Sequence, residues 1–283
     1  MSYFIRLKPM TLAVALLAGV ASAPAFADTM GGCEVTGQKG EFKLDPMTPD
    51  VLTVRANLPA PGWWNGNTPD DIKDGLEYCM AQNIAYRAGL DKVQVILAAW
   101  TQVLSGAAKN FDLTLSQASV TEPRKKSVDF SVPYFDSNIG VVVKKGLKVD
   151  SASIKKMRIG VYVGTTGAEY VANVIKPDQE IRAYPNVPAM MAGLTGNQVD
   201  VAVDDLAYML GYAAKSHGLF EVVGQYKTGE SYGAIYPKGS KNGPVLDKII
   251  QSLIDDGTIK KLEHKYLVEA WGTDPSAVPM FQP

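Results

Sequence analysis

Three short stretches carry residue types able to hold a small charged molecule. The first is Thr121-Glu122-Pro123-Arg124. Thr121 suits a helix N-cap, and Pro123 is tolerated in a first helical turn, where its missing N–H was an orphan donor anyway. Arg124 then stands at a helix start, its planar fork beside free backbone N–H groups, which is a ready carboxylate site. The second stretch is Gly164-Thr165-Thr166-Gly167-Ala168-Glu169. Thr166 and Glu169 have the spacing of a capping box, and the helix start they open, with Thr165 beside it, suits the same anion from another side. In the third, the apolar run Val199 to Val203 ends on Asp204-Asp205, and Asp205 suits an ammonium group. Together the three would read an α-amino-acid zwitterion.

Each stretch has an ordinary alternative. Arg124 can be a surface residue in a basic turn with Lys125 and Lys126, Gly164-Thr165-Thr166 plain capping, and Asp205 a helix cap. The adjacent Trp63 and Trp64 lie in a turn-rich loop, Asn57 to Asn67. One ring is expected to reach the cleft; the competing arrangement packs one in the core and lays the other on the surface. His217 and His264 lie away from these loops. No Ser-x-Gly elbow, HExxH, paired CxxC or Walker pattern is present, so no catalytic residue, metal ligand or cofactor site is expected.

The elements that must position these residues alternate between strand and helix. Phe111, Leu113 and Leu115 alternate with polar neighbours as a strand does, and Ser116 to Thr121 is a small, polar crossing with no bulky aliphatic side chain except Val120. Before it, Leu52 to Ala56 reads as a strand, Gly75 to Ala88 as a helix stopped by Gly89, Val93 to Leu97 as a strand and Trp100 to Ala108 as a weak helix. After it, strands are expected at 138–143, 158–163, 181–184, 199–203 and 232–236. Helices are expected at 164–174, between Asn186 and Gly196, and at 206–214. Val245, Leu246, Ile249, Ile250, Leu253 and Ile254 form a core-facing stripe. The class is α/β, with ligand loops at the C-terminal ends of the strands.

The chain of 283 residues is 46% hydrophobic, 20% charged and has a formal net charge of -1, so no nucleic acid or other polyanion is implied. Residues 1–27 read as a secretory signal: Arg6 and Lys8 are basic, Met10 to Val20 is apolar, and Ala25-Phe26-Ala27 is a small-x-small cleavage site. Export with cleavage after Ala27 is expected. Cys33 and Cys79 are the only cysteines, and in an oxidising compartment a lone pair often bridges. The alternatives are a buried free thiol at Cys79 and a lipid-bearing Cys33.

From about Leu52 to Trp271 the sequence resembles the family-3 extracellular solute-binding proteins, the amino-acid receptors of ABC importers. The resemblance rests on Phe111 to Tyr134, Gly160-Val161-Tyr162-Val163-Gly164-Thr165-Thr166, Val199 to Asp205, and Asp256-Gly257-Thr258, in that order. It implies a type II, two-lobed fold that closes on ligand, with two hinge strands. Lobe I would comprise 51–136 and 236–283, lobe II 137–235, and 28–50 an N-terminal arm. It implies roles for Arg124 and Ser119 at the ligand carboxylate, Thr166 at the same group from the second lobe, Gln117 as a backbone acceptor for the amine, and Asp205 as the amine-binding acid. Asp204 is the less favoured partner. Basic-amino-acid binders of the family tend to carry an acid near Asn57, so a strongly basic ligand is not expected. The family's stacking aromatic aligns with Ala60, and Trp63-Trp64 arrive instead. The implied function is a periplasmic, monomeric, non-enzymatic protein that captures an amino acid and delivers it to a membrane permease. A dehydratase of prephenate or arogenate on the same fold, or a sensory subunit presenting ligand to a receptor, is the alternative.

Overall fold

The computed structural model describes residues 1–3 and 28–283. The expected leader therefore lies outside the described residues from position 4 to its cleavage site. The described chain begins with a hairpin, β1 (Thr29–Met30) and β2 (Cys33–Glu34). It continues with β3 (Val51–Ala56), α1 (Leu76–Arg87), β4 (Lys92–Leu97), α2 (Trp100–Leu104), β5 (Leu113–Thr114), α3 (Glu122–Lys125) and β6 (Asp129–Phe130). Then come β7 (Phe135–Lys144), β8 (Ile159–Tyr162), α4 (Thr166–Tyr170), β9 (Arg182–Tyr184), α5 (Val187–Thr195), β10 (Val201–Asp205) and α6 (Leu206–Lys215). The last elements used below are β11 (Phe220–Tyr232), β12 (Ile235–Tyr236), α7 (Gly243–Asp255) and α8 (Thr258–Glu263).

Two five-stranded sheets result. The first has the order β4-β3-β5-β12-β6, the second β11-β7-β10-β8-β9. Every residue of β3 is buried, as a central strand covered on both faces requires. In the first sheet β4, β3 and β5 are parallel; β8, β9 and β10 are parallel in the second. The stripe on α7 and α8 buries Leu246, Ile249, Ile250, Leu253, Ile259 and Leu262 in the core.

The long strands β7 and β11 pair antiparallel and join the two sheets, with Tyr232 opposite Phe135 and Glu230 opposite Ser137. The register slips between Tyr226 and Glu230. Only the last residue of β11 is within the strand expected from sequence. Its earlier part carries Gln225, Lys227, Thr228 and Glu230 with Gly224 and Gly229, so composition does not mark it; pairing with β7 makes it a strand.

The chain ends departed from expectation in one respect. Residues 236–283 were expected with the first lobe, but Phe281 is buried in the core of the second, edge-on to Tyr226 at 5.7 Å. The Phe281 N–H donates to the Gln225 carbonyl at 2.7 Å, and the Gln225 N–H to the Pro279 carbonyl at 2.9 Å. A tail beyond the last helix has few contacts of its own, and the open edge of β11 gives it a backbone to bond. At the other end, Cys33 and Cys79 form a disulfide that fastens the N-terminal hairpin to α1, with Cα atoms 5.4 Å apart. Among the described residues no helix is long and apolar enough to cross a membrane.

Candidate ligand-binding site

The crossing after β5 is built on a buried carboxylate. Glu77 on α1 has no exposed surface. It accepts from the Gln117 backbone N–H at 2.9 Å and the Trp64 indole N–H at 2.7 Å, and also from the Gln117 side-chain amide and the Tyr134 hydroxyl. Burial pushes its pKa up to about 7 against the pull of these four donors. The bonds hold Gln117 at φ +47, an unfavourable conformation for a side chain with a Cβ, and so set the path of residues 116–119.

Arg124 is positioned as its neighbours suggest. Thr121 is extended and caps α3, accepting from the Arg124 N–H at 3.3 Å, and Pro123 sits in the first turn. The guanidinium spans the two lobes: Nη1 donates to the Ser119 carbonyl at 2.9 Å and Nη2 to the Gly164 carbonyl at 3.2 Å. It lies over the ring of Trp100, 5.2 Å from the centroid, and the Trp100 indole N–H donates to the same Gly164 carbonyl at 3.1 Å.

On the second lobe the cap is one residue earlier than the capping-box spacing implied. Thr165 is the N-cap of α4; its hydroxyl accepts from the Ala168 N–H at 3.2 Å and donates to the Tyr162 carbonyl at 2.9 Å. Thr166 is thereby left as the first helical residue, not tied up in the cap, and it lines the cleft. Gly167 lets this helix start approach β10: a Cβ there would lie 2.9 Å from Asp204 Cα.

A cavity of about 30 Å³ is lined by Asn57, Gln117, Ser119, Arg124, Thr165, Thr166 and Asp205. These are seven of the nine residues expected at the ligand. That space holds two or so water molecules, so the cleft is closed. Trp63 and Trp64 do not line it, which corrects the expectation that one ring reaches the cleft. Both are fully buried. Trp63 packs edge-on against Phe135 at 4.9 Å and Tyr232 at 5.6 Å, beneath the hinge strands, and the Trp64 ring is anchored by Glu77. Large rings gain more from full burial under the hinge than from one wet face.

Trp100, Tyr162 and Tyr208 form the aromatic wall instead. Tyr208 and Tyr212 on α6 also cross the cleft, their hydroxyls donating to the Pro59 carbonyl at 2.7 and 3.1 Å. None of these tyrosines carries a local sequence signal for a cleft position.

The acidic side holds two further residues that sequence reasoning set aside or missed. Asp204 is 2% exposed; its Oδ1 accepts from the Asp205 N–H at 3.0 Å, and its Oδ2 has no partner. Burial raises its pKa to about 7. Asp205 Oδ2 accepts from the Tyr232 hydroxyl at 2.9 Å, and its Oδ1 lies 3.4 Å from the Thr166 hydroxyl oxygen. Burial, with Asp204 beside it, drives the Asp205 pKa well above the usual carboxylate range. Glu230 on β11 is the missed residue: its Oε2 accepts from the hydroxyls of Ser119 and Thr166, each at 2.8 Å. Among the described residues no group of His, Cys, Asp and Glu is arranged to hold a metal ion.

A paired-sheet fold with a cleft at the strand ends, entered from both sides by hydroxyls, an Arg and carboxylates, is that of a solute-binding protein. Residues 64–269 match the bacterial extracellular solute-binding proteins, family 3, and the chain belongs to that family. It is 29% identical over 197 residues to a probable histidine-binding protein of Neisseria gonorrhoeae, covering 67% of this chain and 74% of that one. It is 27% identical over 203 residues to the L-cystine-binding protein TcyJ of Escherichia coli, covering 70% and 76%. Among solved structures, an ancestral arginine-binding protein bound to arginine superposes with a TM-score of 0.67 at 26% identity, covering 77% of this chain and 98% of that one.

Proposed function

We propose that the protein captures an amino acid in the periplasm, after export and removal of residues 1–27, and delivers it to the permease of an ABC importer. The observation that carries this reading is the buried, unpartnered Oδ2 of Asp204, a residue that lines the same cavity as Arg124. A buried carboxylate oxygen without a donor is costly, and a ligand ammonium supplies that donor. The same ligand's carboxylate meets Arg124 and the hydroxyls of Ser119 and Thr166, while Gln117 and Asp205 complete the amine end. Asp204 thus shares the role first given to Asp205 alone. Relatives named for histidine, L-cystine and arginine binding support an amino acid as ligand. Asn57, neutral where basic-amino-acid binders carry an acid, and the wall of Trp100, Tyr162 and Tyr208 favour a side chain that is not strongly basic.

Lobe I takes about 51–136 and the segment from 236 up to the C-terminal tail, and lobe II about 137–235 together with that tail, which Phe281 anchors. Closure follows from contacts made by both lobes to one ligand, since a ligand held equally well by the open form shifts nothing. A thermal-shift panel of amino acids tests the reading: a ligand of the native state raises the midpoint, and no shift with any of them defeats it. One observation favours a second reading. Asp204 keeps a proton to about pH 7 within the cavity, as a general acid must. Turnover of prephenate or arogenate would establish a dehydratase instead.

A further inference from the structure

The residues given above to the ligand's carboxylate already hold one. Ser119 belongs to the first lobe and Thr166 to the second. Both hydroxyls donate to a single oxygen, Oε2 of Glu230, at 2.8 Å, and the hydroxyls themselves are 3.5 Å apart. A hydroxyl has one proton to give. A second carboxylate brought to the same pair finds both protons spent and meets a like charge at short range. The cavity that Ser119 and Thr166 line, about 30 Å³, also admits no amino acid.

Glu230 has somewhere else to go. It lines a second, larger groove of about 680 Å³ on the hinge strands, together with Lys227. The regular pairing of β11 with β7 lapses over residues 227–229, so the ladder is interrupted immediately before Glu230, whose own backbone pairs with Ser137. Its side chain is only half-buried, unlike those of Asp204 and Asp205.

We infer that Glu230 is an internal carboxylate that occupies the ligand-carboxylate position in the free protein, bridges the two lobes there, and must be displaced by the carboxylate of an incoming amino acid. It rests on the amino-acid reading above and adds a specificity rule to it. A ligand with a free α-carboxylate competes with Glu230; one whose carboxylate is capped as an amide does not need that position. Glu230 therefore sets how strongly the protein prefers acid over amide. The free protein is also held closed by a bond that bound ligand replaces.

The test titrates the standard L-amino acids and their α-carboxamides by calorimetry into wild type, Glu230→Ala and Glu230→Gln. Removing the internal competitor raises the acid-to-amide affinity ratio by about tenfold or more, because the competent fraction of the free protein rises. Gln, which keeps the volume and loses the charge, moves the ratio in the same direction by less, and it carries the test should the Ala variant not fold. Small-angle scattering of the ligand-free proteins reads the bridge directly: Glu230→Ala has a larger radius of gyration than wild type. An unchanged or lowered ratio overturns the inference, as does unchanged scattering. Failure of wild type to take up any amino acid would defeat the proposed function instead, and scattering alone would then decide whether Glu230 latches the lobes.

Discussion

The guanidinium of Arg124 joins Ser119 of one lobe to Gly164 of the other, donating to their carbonyls at 2.9 and 3.2 Å. Its charge thus stands at the seam of the cleft, near the carboxyl groups of Asp205, Glu169 and Glu230. A planar fork can serve two carbonyls on opposite walls while its face rests on Trp100. A lysine ammonium cannot reproduce that geometry. Arg124→Ala should weaken amino-acid binding by about 30-fold to a few thousand-fold, since truncating one partner of a buried charge pair costs about 2–5 kcal/mol. Arg124→Lys should recover little of it. Affinity retained in calorimetry would remove Arg124 from the site.

Binding should depend on pH through Asp204. Its pKa in the free protein is about 7, raised first by burial, and a ligand ammonium favours the ionised form. Below pH 7 the proton must leave before the amine can dock, so affinity falls as pH drops, by up to about tenfold per unit. The charged groups near it are Asp205, Glu230 and Arg124, and the hydroxyls of Tyr162, Tyr208 and Tyr212 are the other titratable neighbours. Asp204→Asn should bind amino acids weakly and lose most of this slope. Amine-free analogues should show no slope of this sign with wild type; if they do, Asp204 does not meet the amine.

The Glu77 carboxyl should make the fold less stable as pH rises. Its folded pKa is about 7 against 4.5 in an ordinary setting, so between those values the native state holds a proton that the unfolded chain releases. Stability contributed by Glu77 is full below about pH 4.5 and is lost by about pH 7, an effect on the order of 3 kcal/mol. Urea unfolding of Glu77→Gln across this range should show a flatter profile than wild type. The variant should also bind amino acids less well, because Gln117 loses the acceptor that holds its backbone. A profile as steep as wild type would show that Glu77 does not titrate there.

Gly167→Ala should destabilise by about 1–3 kcal/mol, the usual cost of overpacking. The new Cβ would lie 2.9 Å from Asp204 Cα and 3.2 Å from its Oδ1, and backbone cannot step aside cheaply. Because α4 would be pushed from β10, binding should fall in the same variant. Unchanged denaturant midpoint and affinity would refute the close approach.

Reduction of the Cys33–Cys79 disulfide should lower the thermal midpoint. The bond closes a loop of 46 residues, for which chain entropy gives about 4 kcal/mol. Cys33→Ser should reproduce the shift without reductant. The hairpin around Cys33 should then exchange its amide hydrogens faster than α1 does, and equal protection in both would show that the arm docks without the bond.

What the sequence determined by itself was mostly short-range. Thr121, Pro123 and Arg124 make a capped turn because the bonds involved reach three or four residues along the chain, and the same holds for Asn186 capping α5. Strand and helix alternation placed the loops of Arg124, Thr165–Thr166 and Asp204–Asp205 at strand ends, and their residue types, with the family resemblance, pointed to an amino-acid zwitterion. Tertiary structure decided the rest. Which threonine caps α4 depended on the carbonyl of Tyr162 within reach of Thr165. Whether a tryptophan faced the cleft depended on Phe135 and Tyr232 arriving over Trp63 from the hinge. Glu230 stands 111 residues from Ser119 and 64 from Thr166. A hydrogen bond has a range of about 3 Å in space and none along the sequence, so no local pattern could announce that this carboxylate sits between the hydroxyls of both lobes.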